Sequence, residues 1–316
     1  MNAMTRRPPE STDLVVRGAC FGYEVRSQLS LSFLRSGPGD PMEVVSEVIH
    51  GPRPDERLLI EWTPHGGHRL HARLYRGGHV YRLWVAGAGW FSVDPTVPRI
   101  AVPPRLRLVR CQELLWAIPA ALCLLHRGDL PLHAAAVHVD GGAVVLAAPG
   151  GFGKTTLAAS FYEAGHGVLS EDLTCLRADP GPMVVPGPAM LRLRPDVDAR
   201  LSMRNVRAAA VTRGRTTLAL LAARPADGRP VPLRGIVFLR QSATTIRLTR
   251  VSAERAIRDL WALTFQIPGD SDRARCFGTI VDLVRQVPVW NLQRPLRFGA
   301  LPATMKRIVD AAVTHG

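Results

Sequence analysis

One glycine-rich segment has the residue types and spacing of a phosphate-binding loop. It reads Ala-Pro-Gly-Gly-Phe-Gly-Lys-Thr-Thr over residues 148–156 and fits the pattern G-x-x-x-x-G-K-[ST], except that Ala148 replaces the first glycine. Glycines let backbone N–H groups turn towards a phosphate, the lysine reaches the β- and γ-phosphates, and the next hydroxyl ligates Mg²⁺. The segment predicts a nucleotide and Mg²⁺ site formed by Pro149, Gly150, Gly151, Phe152, Gly153, Lys154, Thr155 and Thr156.

The lysine in this segment is unusual for this sequence. Only Lys154 and Lys306 are lysines among the 40 basic residues, and the chain has 28 glycines. Chance alone predicts about 0.2 Gly-Lys pairs in a chain of this composition, before a threonine and further glycines are required. A functional loop is therefore favoured over an accidental turn, although a phosphate loop by itself leaves the reaction open.

Two adjacent carboxylates follow the loop. Glu171 and Asp172 stand between the apolar runs GVLS and LTCL, so we expect one strand with the pair in its middle. Phosphoryl transfer needs a metal ligand and a base or positioning group, and such a pair can supply both. Neighbouring strand residues face opposite ways, so only one of the two is expected to face the site. The alternative is a pair of solvated turn acids.

The elements around the loop have the order that a phosphate site requires. Two β-type runs, HAAAVHV and AVVLAA, are joined by residues 140–142 as a hairpin, and the second leads into the loop. A helix of about three turns then ends at Gly165. The pattern thus predicts strand, loop and helix in sequence.

The rest of the chain divides into two parts. Residues 15–109 read as a small β-rich module after a disordered tail at 1–14, and 110–316 as the domain that carries the loop. A helix is expected over 110–126, with Pro119 as an irregularity, and the basic stretch 204–217 is expected to be a mobile loop. Further helices are predicted over 252–265, 273–286 and 302–313.

Three features together resemble one family. They are His133 opening the hairpin, the loop at 148–156, and the segment Gly-His-Gly-Val-Leu-Ser-Glu-Asp at 165–172. In this order they resemble the catalytic domain of HPr kinase/phosphorylase and its offshoots, including the serine kinases found with lasso-peptide biosynthesis. The resemblance is strong only across 131–173. It implies an α/β fold: a P-loop domain with a mixed β-sheet and flanking helices, preceded by a small, mainly β N-terminal module.

The resemblance also implies roles. The loop residues would hold ATP and Mg²⁺, and His133 would lie beside the phosphates. Glu171 falls on the family's first aspartate, the base that acts on the acceptor hydroxyl, and Asp172 on the second, near the metal with Thr155. The set implied as catalytic is His133, Lys154, Glu171 and Asp172, and which carboxylate is the base stays open. Without the family, His133 reads more simply as a strand-end histidine with its hydrogen bonds satisfied.

One family signature is missing. The bifunctional enzymes carry Glu-x-Arg-Gly-x-Gly after the carboxylates, whereas this chain reads PAMLRLRPDVD over 188–198. Phosphorylase activity and HPr as substrate are therefore not expected. Arg192 and Arg194 alternate on one strand face, where they could contact phosphate or be surface arginines.

Composition limits the partners. The formal charge of +14 comes from arginine spread along the chain, with no dense basic run or nucleic-acid module, so no specific nucleic-acid partner is expected. Five cysteines without a Cys-x-x-Cys pair argue against a disulfide framework or a cysteine zinc site and favour the cytoplasm. No signal peptide and no membrane span are expected. Homo-oligomerisation stays open.

The combined prediction is an ATP- and Mg²⁺-dependent kinase. Its acceptor would be a hydroxyl, in first place a serine, on a peptide or small protein, such as a lasso-peptide or other ribosomal precursor. Two alternatives remain: a nucleotide-binding regulatory protein whose catalysis has lapsed, and a kinase of a small metabolite.

Overall fold

The structure, a computed structural model, describes residues 14–63, 71–201, 203–212, 214–225, 227–265, 267 and 269–314. Residues 1–13, nearly all of the predicted tail, lie outside the described residues. The described part is α/β with several β-sheets, two of which mix parallel and antiparallel pairing.

An eight-stranded sheet occupies the first third of the chain. Its strands are β1 (Val15–Cys20), β2 (Tyr23–Ser27), β3 (Asp40–Ser46), β4 (Arg57–Trp62), β5 (Ala72–Gly77), β6 (Val80–Val85), β7 (Gly89–Asp94) and β8 (Arg99–Val102). They pair in the order β1-β2-β3-β8-β7-β6-β5-β4. Alternating burial in β6, with Tyr81, Leu83 and Val85 inside, matches the alternating sequence pattern that predicted strands here.

Two helices follow where the sequence predicts one. These are α1 (Leu108–Leu115) and α2 (Ile118–Arg127). The break lies at Ala117, whose ψ of −116° is not helical. Pro119 lacks an N–H and belongs in the first turn of a helix, so α2 begins anew before it. The prediction of one continuous helix over 110–126 is therefore wrong at its middle.

The same segment, Leu108–Arg127, is apolar and long enough to be a candidate membrane span. Within the protein, however, 61% of it is buried. Leu115, Ala121 and Leu124 lie fully inside the hydrophobic core. Its apolar character is therefore accounted for by packing inside the fold.

The remaining strands form a nine-stranded and a three-stranded sheet. They are β9 (Leu130–Leu132), β10 (Ala134–Val139), β11 (Gly142–Ala147), β12 (Gly167–Ser170), β13 (Thr174–Arg177), β14 (Met183–Val185), β15 (Met190–Leu193), β16 (Val206–Val211), β17 (Thr216–Leu220), β18 (Val231–Gln241), β19 (Arg247–Arg250) and β20 (Val289–Arg294). The larger sheet runs β12-β10-β11-β18-β14-β13-β9, with β20 pairing both β18 and β19.

Three parallel strands position the phosphate loop. In this sheet β11, β18 and β20 are parallel neighbours, and Ala147, Phe238 and Asn291 lie level with one another. The carboxyl ends of parallel strands meet at one edge of a sheet, where ligand sites form. The loop after β11 and the end of β20 are therefore close in space although about 140 residues separate them.

The three-stranded sheet replaces a predicted loop. Its order is β15-β17-β16, so most of the basic stretch 204–217 is strand. Every residue of β17 is buried, and the partner strand β16 keeps Arg207 in solvent. The prediction of a mobile loop at 204–217 is wrong because the burial comes from the partner strand, a contact that local composition does not report.

Helices cover the sheets. Those after α2 are α3 (Lys154–Glu163), α4 (Pro195–Asp198), α5 (Ala253–Trp261), α6 (Asp270–Gln286) and α7 (Leu301–Thr314), with a 3₁₀ turn at Phe298–Ala300. The predicted helices at 252–265, 273–286 and 302–313 correspond to α5, α6 and α7.

The N-terminal sheet shares its core with the rest of the chain. Tyr23 donates a hydrogen bond to the carbonyl of Cys123 at 3.1 Å, and one apolar cluster includes side chains from β2, α2 and β13. The guanidinium of Arg35 donates to carbonyls of Gly187, Pro225 and Val168 at 2.7–3.0 Å. The predicted boundary between residues 109 and 110 stays a prediction, because the two parts are packed together.

Candidate phosphate-transfer site

The predicted phosphate loop connects β11 to α3. Gly151 and Gly153 have φ of +86° and +75°, the left-handed region that glycine occupies without strain. Gly153 is the N-cap of α3, so the unpaired N–H groups and positive dipole end of the helix lie at the loop. Residues 149–151 are exposed, as a ligand-binding turn requires.

Lys154 begins α3 and is buried, with 7% of its surface exposed. Its ammonium donates to the carbonyl oxygens of Ala148 at 2.6 Å and Pro149 at 3.2 Å. The third neighbour is Nε2 of His133 at 3.1 Å. Burial lowers the pKa of Lys154, against the nearby carboxylates Asp172 and Glu171. The Lys154 ammonium is thus held at the loop by hydrogen bonds to carbonyl oxygens that phosphate oxygens can replace.

His133 lies beside Lys154. An ammonium can only donate, so Nε2 of His133 must accept, and the ring proton belongs on Nδ1. That nitrogen lies 3.2 Å from the carbonyl of Asp172, which accepts the proton. Burial and then the charge of Lys154 lower the pKa of His133 from 6.5. His133 is therefore a neutral imidazole that links the lysine to the carboxylate turn.

The two carboxylates lie in a turn between strands. β12 ends at Ser170 and β13 begins at Thr174, so the prediction of one strand with the pair in its middle is wrong. Asp172 has φ of +71°, which bends the chain and cancels the strand alternation. Both side chains consequently contact the site, and the expectation that only one would face it is also wrong.

Glu171 is the buried member of the pair, with 4% exposed. Its Oε1 accepts a hydrogen bond from the Thr155 hydroxyl at 2.8 Å, and its Oε2 lies 3.2 Å from Nε of Arg192. Burial raises the pKa of Glu171, which Arg192 opposes. The carboxylate next to the predicted Mg²⁺ ligand Thr155 is therefore Glu171, whereas the resemblance put Asp172 there.

Asp172 is the accessible member, with 45% of its side chain exposed. One oxygen pairs with Nη2 of Arg192 and the other lies 3.5 Å from Nδ1 of His133. Partial burial raises the pKa of Asp172, but Arg192, His133 and Lys154 lower it by more, so the net pKa is lowered. Asp172 is an ionised carboxylate at the open side of the turn.

Arg192 of β15 contacts both carboxylates, and the sequence left its role undecided. Its side chain is 15% exposed. Burial lowers the pKa of Arg192, but Glu171 and Asp172 raise it well above the ordinary value. Arg194 instead is exposed and pairs with Asp196 at 3.1 Å. Of the two arginines, only Arg192 belongs to the site.

Arg294 also contacts the loop and was not singled out from the sequence. It is the last residue of β20, is 2% exposed, and its Nη2 donates to the carbonyls of Phe152 at 2.9 Å and Gly153 at 3.3 Å. The available signal was an arginine ending an apolar strand. Recognising it required knowing that this strand is parallel to β11.

The metal-binding capacity of the site depends on a nucleotide. Within the described residues, no group of three or more His, Cys, Asp or Glu side chains could hold a metal alone. Mg²⁺ in nucleotide sites usually takes one or two protein ligands, with waters and phosphate oxygens completing the octahedron. The Thr155 hydroxyl and the Glu171 carboxylate, already in contact, fit that requirement.

Two other histidines lie apart from this arrangement. His138 lies opposite Ala143, one residue pair from the turn of the β10–β11 hairpin, and His166 packs edge-on against Phe161 at 5.4 Å between ring centroids. Thr156 is half-buried in the first turn of α3, where its carbonyl accepts a hydrogen bond from Ser160.

No protein-family model and no curated relative matches the sequence. Among solved structures the chain is similar to the Hpr(Ser) kinase/phosphatase from Coxiella burnetii, at 10% identity and a TM-score of 0.31, over 58% of this chain and 90% of that one. At this TM-score the similarity bears on neither fold nor function.

Proposed function

We propose that this chain is an ATP- and Mg²⁺-dependent kinase that transfers the γ-phosphoryl group to a hydroxyl, in first place a serine of a peptide or small protein. One observation carries the proposal. A glycine loop at a helix N-terminus, its lysine, a hydroxyl–carboxylate pair and a second, ionised carboxylate all lie together, as phosphoryl transfer requires.

Each residue has a defined task in this proposal. Backbone N–H groups of 150–155 and the Lys154 ammonium bind the phosphates, after Lys154 exchanges the carbonyls of Ala148 and Pro149 for phosphate oxygens. Thr155 and Glu171 would hold Mg²⁺, which would supply positive charge next to the phosphate oxygens. His133 keeps Lys154 aligned through Nε2.

Asp172 is the base in this proposal. It is exposed enough to meet an acceptor, and its lowered pKa keeps it ionised near neutrality. The acceptor oxygen attacks the γ-phosphorus, the bond from that phosphorus to the β–γ bridging oxygen breaks, the hydroxyl proton passes to Asp172, and ADP leaves. This assigns the carboxylates in the reverse of the order that the family resemblance implied.

The decisive experiment measures phosphate transfer with γ-labelled ATP and Mg²⁺. A panel of acceptors would include ribosomal peptide precursors with serine, matched serine-to-alanine peptides, and small alcohols. Label should appear on the serine peptide and be lost in Lys154→Ala. The control is Lys306→Ala, because Lys306 is an exposed lysine that pairs with Asp310 on the surface of α7. Label on small alcohols alone would favour the metabolite kinase.

A nucleotide-binding protein with lapsed catalysis is the second candidate. It is favoured by one observation: Arg192 occupies both carboxylates, and a Mg²⁺ site or a base requires them to be released. Binding of ATP with thermal stabilisation, but neither hydrolysis nor transfer to any acceptor, would establish this alternative.

A further inference from the structure

Arg294 is a buried cation with an incomplete set of partners. Within the described part of the chain, no carboxylate lies within ion-pair distance of its guanidinium, and Nε is buried without a hydrogen-bond partner. Burial alone lowers the pKa of Arg294, since no acid raises it. Burying an unpaired charge or donor is unfavourable, so such a group calls for an explanation.

The position of the Arg294 guanidinium offers an explanation for this unpaired charge. Nη2 bonds the carbonyls of Phe152 and Gly153, the two residues before Lys154, and a Cβ added at Gly153 would lie 2.7 Å from this nitrogen. Arginine and loop are therefore in direct contact at the N-terminus of α3. Anions are the ligands that such a helix end attracts.

Another buried arginine shows that carbonyl partners can suffice for a purely structural role. Arg35 is 3% exposed and has no carboxylate within ion-pair distance among the described residues, although burial lowers its pKa and the charge of Asp227 raises it against that effect. However, each of its three nitrogens donates to a carbonyl, those of Gly187, Pro225 and Val168. Arg294 differs because Nε has no acceptor, and because it lies at the loop rather than between two sheets.

We propose that Arg294 is a phosphate-binding residue, which supplies positive charge to the polyphosphate of a nucleotide held by the loop 148–156. This rests on the phosphate site of the proposed function and adds a contact from the far end of the chain. A bound phosphate would give the Arg294 guanidinium the anionic partner that it lacks. Arg294 reaches the loop because β20 is parallel to β18, and β18 is parallel to β11.

The test compares Arg294→Gln with wild type by calorimetry, using inorganic tripolyphosphate, ATP and AMP. Glutamine keeps an N–H donor for the loop carbonyls but removes the charge. We expect tripolyphosphate binding to weaken about 10- to 100-fold and the ATP-to-AMP affinity ratio to fall by a similar factor. The melting temperature of the nucleotide-free protein should stay level or rise. The matched control is Arg247→Gln, an exposed arginine opposite Gln293 on the adjacent strand.

Other outcomes overturn the proposal. If Arg294 only braces the loop, Arg294→Gln will lower the melting temperature and weaken ATP and AMP equally. Arg294→Met, apolar and of similar volume, repeats the measurement should the glutamine variant not fold, and loss of folding in both rejects the proposal. Tripolyphosphate that fails to bind the wild type would reject the phosphate loop itself, and hence the proposed function. Wild-type binding with no loss in Arg294→Gln rejects the role of Arg294 alone.

Discussion

Two largely buried arginines contact the candidate site, and they differ in what neutralises them. Arg192 pairs with Glu171 and Asp172, which raise its pKa, whereas Arg294 donates to carbonyls, has no ion pair within the part of the chain that the structure describes, and has a lowered pKa. The carboxylate side is electrostatically complete without a ligand, so a metal or acceptor must break existing pairs. The Arg294 side lacks an anion, so a bound phosphate adds a pair. Ligand binding is therefore expected to rearrange ion pairs at the carboxylate side of the site and to add an ion pair at the Arg294 side.

On the carboxylate side of the site, the largest expected effect comes from replacing Asp172, the proposed base. Asp172→Asn keeps the shape but removes the proton acceptor, so we expect the transfer rate to fall about 10³-fold. Affinity for ATP should change only a few-fold, because the loop and Arg294 are intact. Single-turnover kinetics and calorimetry separate the two effects. The control is Asp196→Asn, an exposed carboxylate paired with Arg194. An equal effect of both substitutions would contradict the assignment of Asp172.

Removing the shared cation is the next largest change. Arg192→Gln leaves Glu171 buried without its charge partner, and breaking such a pair costs about 3 kcal/mol. The melting temperature should therefore fall by about 5–10 °C. Arg294→Gln changes charge equally but should not lower it. Equal destabilisation in the two variants would mean that both arginines are structural, and the contrast between them would be lost.

The smallest effect concerns His133 and pH. Its pKa is lowered in the folded protein, so the unfolded chain takes up the proton first and stability falls as the pH drops below 6.5. His133→Gln removes this contribution to the pH dependence of stability. Between pH 7.5 and 5.5 the wild type should lose more in melting temperature than the variant, by an amount that solvent screening of the partly exposed ring keeps small. The curves would instead remain parallel if His133 were ordinary and solvated.

Local sequence predicted the parts of the site that adjacent residues build. The strand β11, the glycine loop and α3 follow from a short apolar run, a cluster of glycines and a helix that ends near Gly165, all of which lie within about 25 residues. The resemblance put His133 beside bound phosphates, which stays a prediction, and the structure places it beside Lys154. The continuous helix over 110–126 failed at Ala117, because the position of Pro119 within a helix depends on where packing starts that helix.

The turn at Glu171 and Asp172 shows why adjacent residues alone predicted a strand there and not a turn. The run around Glu171 and Asp172 has the composition of a strand, and strand alternation would turn one side chain away. Arg192 pairs with both carboxylates, Thr155 donates to Glu171, and His133 lies beside Asp172, whose backbone is left-handed. That conformation has a local cost, which long-range charge pairing offsets.

By itself, the sequence determined a glycine loop between a strand and a helix and predicted phosphate binding by Lys154 in it, because glycine conformation and lysine chemistry are local properties. Only the tertiary structure decided which charges surround that loop. Arg192 and Arg294 arrive from β15 and β20, and their positions depend on strand pairing across the sheet and on burial. Hydrogen-bond partners and desolvation depend on distance in space and not on distance along the chain. They distinguish Arg192, which is paired with carboxylates, from Arg294, for which we propose a phosphate partner.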